Sequence, residues 1–489
     1  MLIFALHDNI NTIMRKFLLL LSLLSGVLAC SGGGNKTPQL RSEADLSGLT
    51  ISCTSGNYYE HKFSLREDVT VFAATTDADA LTAVRQGLAD VLVTDEIFLT
   101  KEAQERLGVK LAMLGEDIFD VAFALRKGDL TLKEDLDTFL AQYPTDQLVA
   151  HWMDGSPEPE YPSPRDGGNA VPIRYIVCMN MEPVAFLVEE GQWKGIDPDI
   201  IQRFAAWAGR PLEIKHLDIG SAITSLQTGQ ADIISGSLFV TDERKQFVDF
   251  SAPYFKCHPA YFVKDNDSGG RIGLADRIKI NLVTEQRWKL ITNGLIETVK
   301  ITLLAILLGT ILGVGVCAAR RSRRKWLRSA ASLYGAFIQG IPTLVLLMIM
   351  FYVIFAGSGT SASTVAVITF ALCFASAAGS IFDTAVSSVP KGQTEAGLSL
   401  GFTPLKTFTG IVFPQALRRG LPLYKGECVS LLKSTSIVGY IAIQDLTNAS
   451  NLIRSRTFDA LVPLLLVTVI YFVLAWMIRR LLNLLLLKK

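Results

Sequence analysis

The sequence predicts an α/β domain followed by an all-α transmembrane domain of about five helices. Residues 31–290 have the mixed charges of a soluble protein, whereas residues 291–489 contain several apolar runs of spanning length. Within residues 170–255, short β-like runs alternate with helical ones, which indicates a mainly parallel sheet covered by helices. The 489-residue chain has a formal net charge of +1, so bulk attraction to nucleic acid is not expected.

The N-terminus, residues 1–30, has the pattern of a lipoprotein-type signal peptide. A basic start precedes a short apolar core that ends in Leu28-Ala29-Cys30, which resembles a lipobox. We therefore expect translation to begin at Met14, Cys30 to be lipidated, and the glycine-containing residues 31–45 to form a tether. An unprocessed signal anchor is the alternative.

The α/β elements follow from residue type and spacing. Apolar and β-branched runs predict strands, and apolar residues at helical spacing predict helices. The predicted strands are 173–178, 212–216 and 231–235, and the predicted helices are 198–208 and 221–227.

Helices are expected to span the membrane because each helix satisfies its own backbone amides without water. The predicted spans are about 292–319, 333–355, 363–386, 428–443 and 461–482. With five spans, the basic runs 320–328, 391–419 and 479–489 fall on one side, which the positive-inside rule makes cytoplasmic. The soluble half then lies outside.

The residue types exclude several chemistries. Cys53, Cys178 and Cys257 lie in the exported half and allow at most one disulfide, and no metal-ligand spacing is found. The sequence contains no nucleophile–base arrangement and no Gly-x-x-x-x-Gly-Lys-Ser/Thr phosphate loop. We therefore expect no catalytic residue and no cofactor, and ATP hydrolysis would need a separate polypeptide.

A polar segment between two apolar runs reads Gly392-Gln393-Thr394-Glu395-Ala396-Gly397, then Gly401, then Ile411-Val412-Phe413-Pro414. With Leu431-Leu432-Lys433-Ser434-Thr435-Ser436 after it, this segment closely resembles the EAA loop of ABC importer permeases of the polar amino acid type. In that family the loop docks on an ATPase subunit. The resemblance implies that residues 391–418 contact an ABC ATPase. The positions it places at that contact are Glu395, Ala396, Gly397, Gly401 and Pro414. An ordinary amphipathic connector is the alternative.

The exported half resembles amino-acid-type solute-binding proteins. Residues 193–199 and 241–254 match segments of their first lobe, and residues 46–155 match the second lobe and the segment that returns to the first. The resemblance implies a bilobed domain of the type II periplasmic-binding-protein kind over 46–265, with 170–265 as first lobe. A connector, 266–290, would then lead to the permease, 291–489. The order favours one circularly permuted domain over two truncated tandem domains.

The same resemblance implies a ligand site. In the family, an Arg that ends Thr-x-x-Arg pairs with the ligand carboxylate and a second-lobe Asp takes the ammonium group; Arg244 and Asp95 match them. A guanidinium suits a carboxylate because it is always charged and presents a planar donor fork. The resemblance also places Thr241, Ser237, Phe186 and Asn57 at the ligand. Outside this pattern, Arg244 would be a solvated helix residue and Asp95 a strand-end cap.

Together these features predict an importer subunit that captures a small solute, an amino acid, outside the cell and passes it through its own permease domain. One EAA loop per chain implies a permease homodimer, with the protein in the bacterial inner membrane and the binding domain on its periplasmic or extracellular side. The alternative is a ligand-gated receptor or channel with a bilobed sensor, which would need a pore loop that the sequence does not show.

Overall fold

The computed structural model describes residues 37–99, 101–160, 163, 171–188, 192–236, 238–241, 244–265 and 273–486. The expected signal peptide with Cys30, the start of the tether, and Ser237 lie outside these residues.

The described strands are β1 (Thr50–Thr54), β2 (Thr70–Ala74), β3 (Val91–Asp95), β4 (Val109–Leu114), β5 (Phe119–Val121), β6 (Ala124–Arg126), β7 (Ile173–Val177), β8 (Phe186–Leu187), β9 (Trp193–Lys194), β10 (Leu212–His216), β11 (Ile233–Ser235), β12 (Val248–Phe250), β13 (Phe255–Cys257) and β14 (Pro259–Lys264).

The described α-helices are α1 (Tyr58–Ser64), α2 (Asp77–Gln86), α3 (Lys101–Leu107), α4 (Leu130–Gln142), α5 (Thr145–Asp154), α6 (Ile196–Trp207), α7 (Ile219–Gln227), α8 (Leu274–Ile278), α9 (Trp288–Arg320), α10 (Lys325–Gly340), α11 (Thr343–Ile349), α12 (Ala362–Ser387), α13 (Lys391–Ser399), α14 (Pro404–Thr407), α15 (Phe413–Ser434), α16 (Leu446–Thr457) and α17 (Leu461–Leu486).

Two five-stranded sheets form two lobes. Lobe 2 is built on the sheet β2-β1-β3-β14-β4, and lobe 1 on the sheet β10-β7-β11-β6-β12. In lobe 2 only β14 runs antiparallel to its neighbours, and in lobe 1 only β6 does. Each sheet is therefore mainly parallel, as the alternating pattern predicts.

The chain crosses between the lobes twice. It leaves lobe 2 through β5 and returns through β13, and these two strands pair antiparallel, with Val121 opposite Phe255. The antiparallel strands β6 and β14 each follow a crossing directly. As a result, each sheet contains strands from both of the predicted pieces, 46–155 and 170–265.

The tether predicted for residues 31–45 is shorter in the structure, because its end packs on lobe 2. Leu40 is 6% exposed. Glu43 Oε1 accepts hydrogen bonds from Lys62 Nζ at 2.8 Å and from the Tyr261 hydroxyl at 2.6 Å. The folded part of the chain therefore begins before residue 46.

Three described helices, α9, α12 and α17, are long and apolar enough to cross a membrane. The pair Lys325–Gly340 and Thr343–Ile354 passes the same test only when combined, with a bend of 103° between the two parts, and would make a fourth span. The structure thus shows three or four candidate spans where the sequence predicts about five.

The fourth predicted span, 428–443, differs most from the structure. It is divided between the end of α15 and a 3₁₀ segment, Thr435–Ile441. Helix α15 begins much earlier because Pro414, in its first turn, is compatible with a helix start. Its N-terminal half carries charges such as Arg418 and Arg419, so its composition is not that of a simple span.

Glycines allow close packing in the helical domain. A Cβ at Gly309 of α9 would lie 2.8 Å from the backbone oxygen of Ala371 in α12, and one at Gly313 would lie 2.9 Å from the Cβ of Ala378. Small residues at helix crossings let backbones approach within van der Waals distance in lipid.

Candidate functional site

A cavity of about 530 Å³ lies between the two lobes and the helical domain. Its lobe walls are the loops at the carboxyl ends of β1, β2 and β3 in lobe 2, and of β7, β10 and β11 in lobe 1. Ligands of open α/β sheets bind at this end of the strands. The third wall comes from residues 436–455 of the helical domain. The volume falls in the range of small-molecule sites.

Three of the residues singled out in the sequence line this cavity: Arg244, Asp95 and Asn57. Arg244 stands on lobe 1, where its Nη1 donates a 3.3 Å hydrogen bond to the backbone oxygen of Phe239. Asp95 ends β3 in lobe 2 and is 3% exposed, and its Oδ1 accepts a 2.5 Å hydrogen bond from the Tyr59 hydroxyl. A cation and a carboxylate thus belong to opposite lobes of one cavity.

Asn57 also has a structural role. Its side-chain oxygen accepts a hydrogen bond of 2.9 Å from the backbone N–H of Glu60, so it caps the N-terminus of α1. Capping side chains typically stabilise a helix by about 1 kcal/mol. The cap orients Tyr58 and Tyr59, the first two residues of α1, towards the cavity.

Two other proposed ligand positions do not line the cavity. The hydroxyl of Thr241 accepts a 3.3 Å hydrogen bond from the backbone N–H of Arg244. Phe186 is buried beneath Arg456, whose guanidinium carbon lies 4.3 Å from the ring centroid. The resemblance therefore placed Phe186 at the ligand, whereas the fold uses it at the contact between lobe 1 and the helical domain.

An aromatic cluster joins the lobes beside the cavity. Phe239 of lobe 1 stacks on Phe119 of β5 with ring centroids 4.5 Å apart, and Tyr58 of lobe 2 lies 4.7 Å from Phe119. The Tyr59 ring meets Phe239 edge-on at 5.8 Å. Phe239 thus makes an apolar contact across the cleft. Aromatic pairs of this geometry are worth about 0.5–1.5 kcal/mol beyond their burial.

His216 and two carboxyl groups complete the lobe walls. Burial lowers the pKa of His216 to about 4, against an opposing effect of Asp218, and its ring stacks on Trp193 at 5.7 Å. His216 is therefore neutral at pH 7. Asp218 caps α7 by accepting a 3.0 Å hydrogen bond from the Ser221 N–H. Burial also raises the pKa of Asp77 above its ordinary value.

The sequence analysis did not anticipate the wall contributed by the helical domain. Thr447, Asn451 and Ser455 of α16 face the cavity. Asp445 caps this helix by accepting hydrogen bonds from the backbone N–H groups of Thr447 at 3.1 Å and Asn448 at 3.0 Å. An Asp before an apolar periodic segment is a helix-start signal, and it was available in the sequence.

Both lobes are attached to α16. Arg454 pairs with Asp79, at the N-terminus of α2 in lobe 2. Arg456 Nη1 lies 2.6 Å from Glu182 Oε2 of lobe 1, and its Nη2 lies 3.3 Å from Glu285 Oε1. The lobes thus contact α16 through arginines two positions apart.

The predicted coupling segment forms a helix–turn–helix. Helix α13 ends before Gly401, whose φ of +80° is the left-handed conformation that glycine favours. Glu395, Ala396 and Pro414 are exposed. Gly397 is buried instead, because α13 packs on the segment after it: a Cβ there would lie 2.6 Å from Thr407 Cγ2.

An exposed apolar surface surrounds this turn. Five large apolar side chains there are exposed to solvent. They are Leu398 (46% exposed), Leu400 (75%), Phe402 (46%), Leu405 (73%) and Phe408 (41%). Groups of exposed apolar side chains are typical of protein–protein or membrane interaction sites.

The cysteines and the other acidic and histidine side chains indicate no further chemistry. Within the described part of the chain, Cys53, Cys178 and Cys257 are free thiols. Burial raises the pKa of each of these thiols, which disfavours the reactive thiolate. No group of three or more His, Cys, Asp or Glu side chains suited to a metal ion occurs among the described residues.

Comparison with known protein families gives a match to part of the chain. The family of bacterial extracellular solute-binding proteins, family 3, matches residues 173–402. The match begins at β7, the first strand of lobe 1 along the chain, and its range extends into the helical domain.

Two curated relatives match segments of 182 and 187 residues. A probable amino-acid ABC transporter permease protein, YckA of Bacillus subtilis (strain 168), is 35% identical over 182 residues, which cover 37% of this chain and 80% of the relative. The L-cystine transport system permease protein TcyB of the same organism is 35% identical over 187 residues, covering 38% and 80% respectively.

A crystal structure of an amino acid ABC transporter with histidines is similar at 29% sequence identity and a TM-score of 0.40, covering 45% of this chain and 100% of the other.

Proposed function

The chain belongs to the family of amino-acid ABC transporter permeases, and we propose that it works as an importer subunit in which capture and translocation share one polypeptide. Permease subunits are not enzymes, and their ATPase is a separate subunit. The receptor or channel alternative is not favoured, because the matched relatives are transport permeases. The solute we propose is an amino acid, as in the names of these relatives.

The observation that carries the proposal is the position of the cavity. A cleft between two lobes ends directly on residues 436–455 of the helical domain, with Arg244 and Asp95 on opposite lobe walls. The α-carboxylate and α-ammonium groups of an amino acid would pair with these two side chains. A solute released from them would enter the helical domain without crossing bulk solvent.

We also propose that residues 46–155 and 170–265 form one circularly permuted binding domain. The two crossings at β5 and β13, and the presence of strands from both pieces in each sheet, support this arrangement. Residues 266–290 would then be the connector, of which α8 is held to the helical domain by Arg277 and Asp459, 2.6 Å apart.

The ATPase would bind at residues 391–418. The exposed apolar surface around Gly401 and the exposed Glu395 support this placement. One such segment per chain and two ATPases per pump argue for a permease homodimer. The basic runs 320–328 and 391–419 support a cytoplasmic position for this segment, with the binding domain on the periplasmic or extracellular side of the inner membrane.

The test is uptake by proteoliposomes that contain the full chain and its ATPase, with ATP enclosed on the ATPase side. Radiolabelled amino acids from a panel of the twenty L-isomers and L-cystine are added outside. We expect ATP-dependent accumulation of at least one panel member. The ATPase alone, and the full chain without ATP, are the controls. Downhill flux that is independent of ATP would instead indicate a channel.

A further inference from the structure

Helix α16 presents three different faces. Leu446, Ala449 and Ile453 pack in the helical domain with Val467. Leu452 is buried in the same hydrophobic cluster as the lobe cores. The remaining face, Thr447, Asn451 and Ser455 at a spacing of four residues, lines the cavity, and that spacing aligns side chains along one side of a helix. We call these three residues the polar face of α16.

The polar face is held in position by the surrounding structure. Arg454 Nη1 donates a 3.0 Å hydrogen bond to Asn451 Oδ1. The Ser455 hydroxyl donates to the Asn451 backbone oxygen at 2.9 Å, and the Thr447 hydroxyl lies 3.0 Å from that of Tyr471. Because Asn451 Oδ1 faces Arg454, the amide NH₂ group is the end left for a ligand. Groups fixed in this way lose little conformational entropy when they bind.

We propose that the polar face of α16 is a solute subsite that receives the side chain of the bound amino acid, and that it selects a polar side chain without negative charge. This inference rests on the proposed function. It adds that the helical domain contributes to the affinity for the solute, and it names the class of solute. The amide and hydroxyl groups of the polar face can both donate and accept hydrogen bonds.

The charges around the cavity support the exclusion of anionic side chains. Four carboxyl groups line it, from Asp77, Asp95, Asp218 and Asp445, whereas Arg244 is the only arginine or lysine among the described lining residues. The α-carboxylate of the solute uses that guanidinium. A second carboxylate would be desolvated near acidic groups without a cation to pair with, which is strongly unfavourable.

The first experiment uses the full chain in lipid nanodiscs, without ATPase, and measures binding of each of the twenty L-amino acids by calorimetry. We expect the tightest-binding amino acid to have a polar, non-anionic side chain. It should bind at least tenfold more tightly than both L-glutamate and L-aspartate. A tightest ligand that is aliphatic or anionic overturns the inference and leaves the proposed function intact. Absence of binding by the whole panel overturns amino-acid capture itself.

The second experiment tests α16 directly with that tightest ligand. Asn451→Leu removes the amide at similar size and should weaken binding about tenfold, the usual effect of one lost hydrogen bond. Gln444→Leu is the matched control. Gln444 is exposed and does not line the cavity, so this variant should bind the ligand with unchanged affinity. Ser455→Ala, which removes one oxygen atom, should weaken binding in the same direction, and thermal unfolding verifies that each variant is folded. Unchanged affinity in both Asn451→Leu and Ser455→Ala overturns the inference.

Discussion

Asn180 of lobe 1 donates a 2.8 Å hydrogen bond from its side-chain amide to the backbone oxygen of Leu452 in α16. Asn180 is 4% exposed and Leu452 is 1% exposed, so water does not compete for this bond. The amide oxygen of Asn180 accepts a second bond, from the Leu187 N–H at 2.8 Å. Since Arg454 joins the same helix to Asp79 of lobe 2, a change in the distance between the lobes would act on α16.

The Arg456–Glu182 pair should contribute to communication between lobe 1 and the permease. Arg456→Glu would place two carboxylates in contact and remove the cation from the Phe186 ring, so solute-stimulated ATP hydrolysis should fall. Adding Glu182→Arg should restore part of it. Glu182 is 54% exposed, so we expect a coupling energy of only about 1 kcal/mol. A double variant no better than Arg456→Glu alone would contradict a direct interaction.

Arg244 and Asp95 should carry the two charged ends of the solute. Arg244→Ala should weaken binding of an α-amino acid by about 2–5 kcal/mol, because the carboxylate would remain buried without its cation. Asp95→Asn keeps an acceptor for the Tyr59 hydroxyl but removes the charge, so it should also weaken binding. The measurement is calorimetry on the full chain.

The control for this pair is Thr241→Ala, since Thr241 does not line the cavity. It should lower affinity less than Arg244→Ala does. Normal affinity in both Arg244→Ala and Asp95→Asn would place the solute elsewhere.

We expect that a side chain at Gly397 is not tolerated as long as the methyl group of Thr407 is present. In Gly397→Ala the new Cβ would lie 2.6 Å from Thr407 Cγ2 and 3.0 Å from Ile411 Cδ1. Relief of such overpacking typically costs about 1–3 kcal/mol, and the shift of α13 should reduce ATPase binding. Thr407→Ser removes the closest atom, so the double variant Gly397→Ala/Thr407→Ser should recover part of the ATPase binding measured by co-purification. No recovery would indicate that Gly397 acts for another reason.

Gly401→Val should uncouple the two activities of the complex. A β-branched residue is strained at a φ of +80°, so the turn after α13 should be distorted and solute-stimulated ATP hydrolysis lost. Solute binding should persist, because no residue of this turn lines the cavity. Gly392→Ala, with open space around its Cβ and no positive φ, is the control and should retain stimulation. Full stimulation in an intact Gly401→Val complex would rule out this turn as the coupling element.

His216 should make the binding domain less stable in acid. Its pKa is lowered from 6.5 to about 4, so the folded state binds fewer protons than the unfolded state at intermediate pH. Its contribution is present above pH 6.5 and is progressively lost as the pH falls towards 4. His216→Phe retains a ring to stack on Trp193 and should show a smaller fall in unfolding temperature between pH 7 and pH 5. An equal fall in both proteins would assign the acid sensitivity to other groups.

Much of the architecture was predictable because it depends on local pattern. Strands β7 and β10 lie within one residue of their predicted ends, and α6 begins two residues before its predicted start. The boundary of α15 was not predictable in the same way. Its predicted span, 428–443, follows average hydropathy, whereas the real helix continues from the coupling segment and ends where a 3₁₀ turn begins.

The candidate site likewise combines residues that the sequence predicted with a position that only the fold shows. The resemblance placed Arg244 and Asp95 at the ligand from short strings of neighbouring residues, and both line the cavity. That they bind the solute stays a prediction. Phe186 was placed at the ligand from its neighbours alone, and only the docking of Arg456 shows its different position.

The sequence by itself determined the two-part architecture and the transport family, and it predicted the coupling segment, because apolar period, strand and helix alternation, and short motifs act over a few tens of residues. The tertiary structure alone decided that α16 lines the cavity and contacts both lobes. Asp79 lies 375 residues before its partner Arg454, and Glu182 lies 274 residues before its partner Arg456, so no local pattern records that these residues meet. Their contacts arise only when the lobes fold and pack against the helical domain.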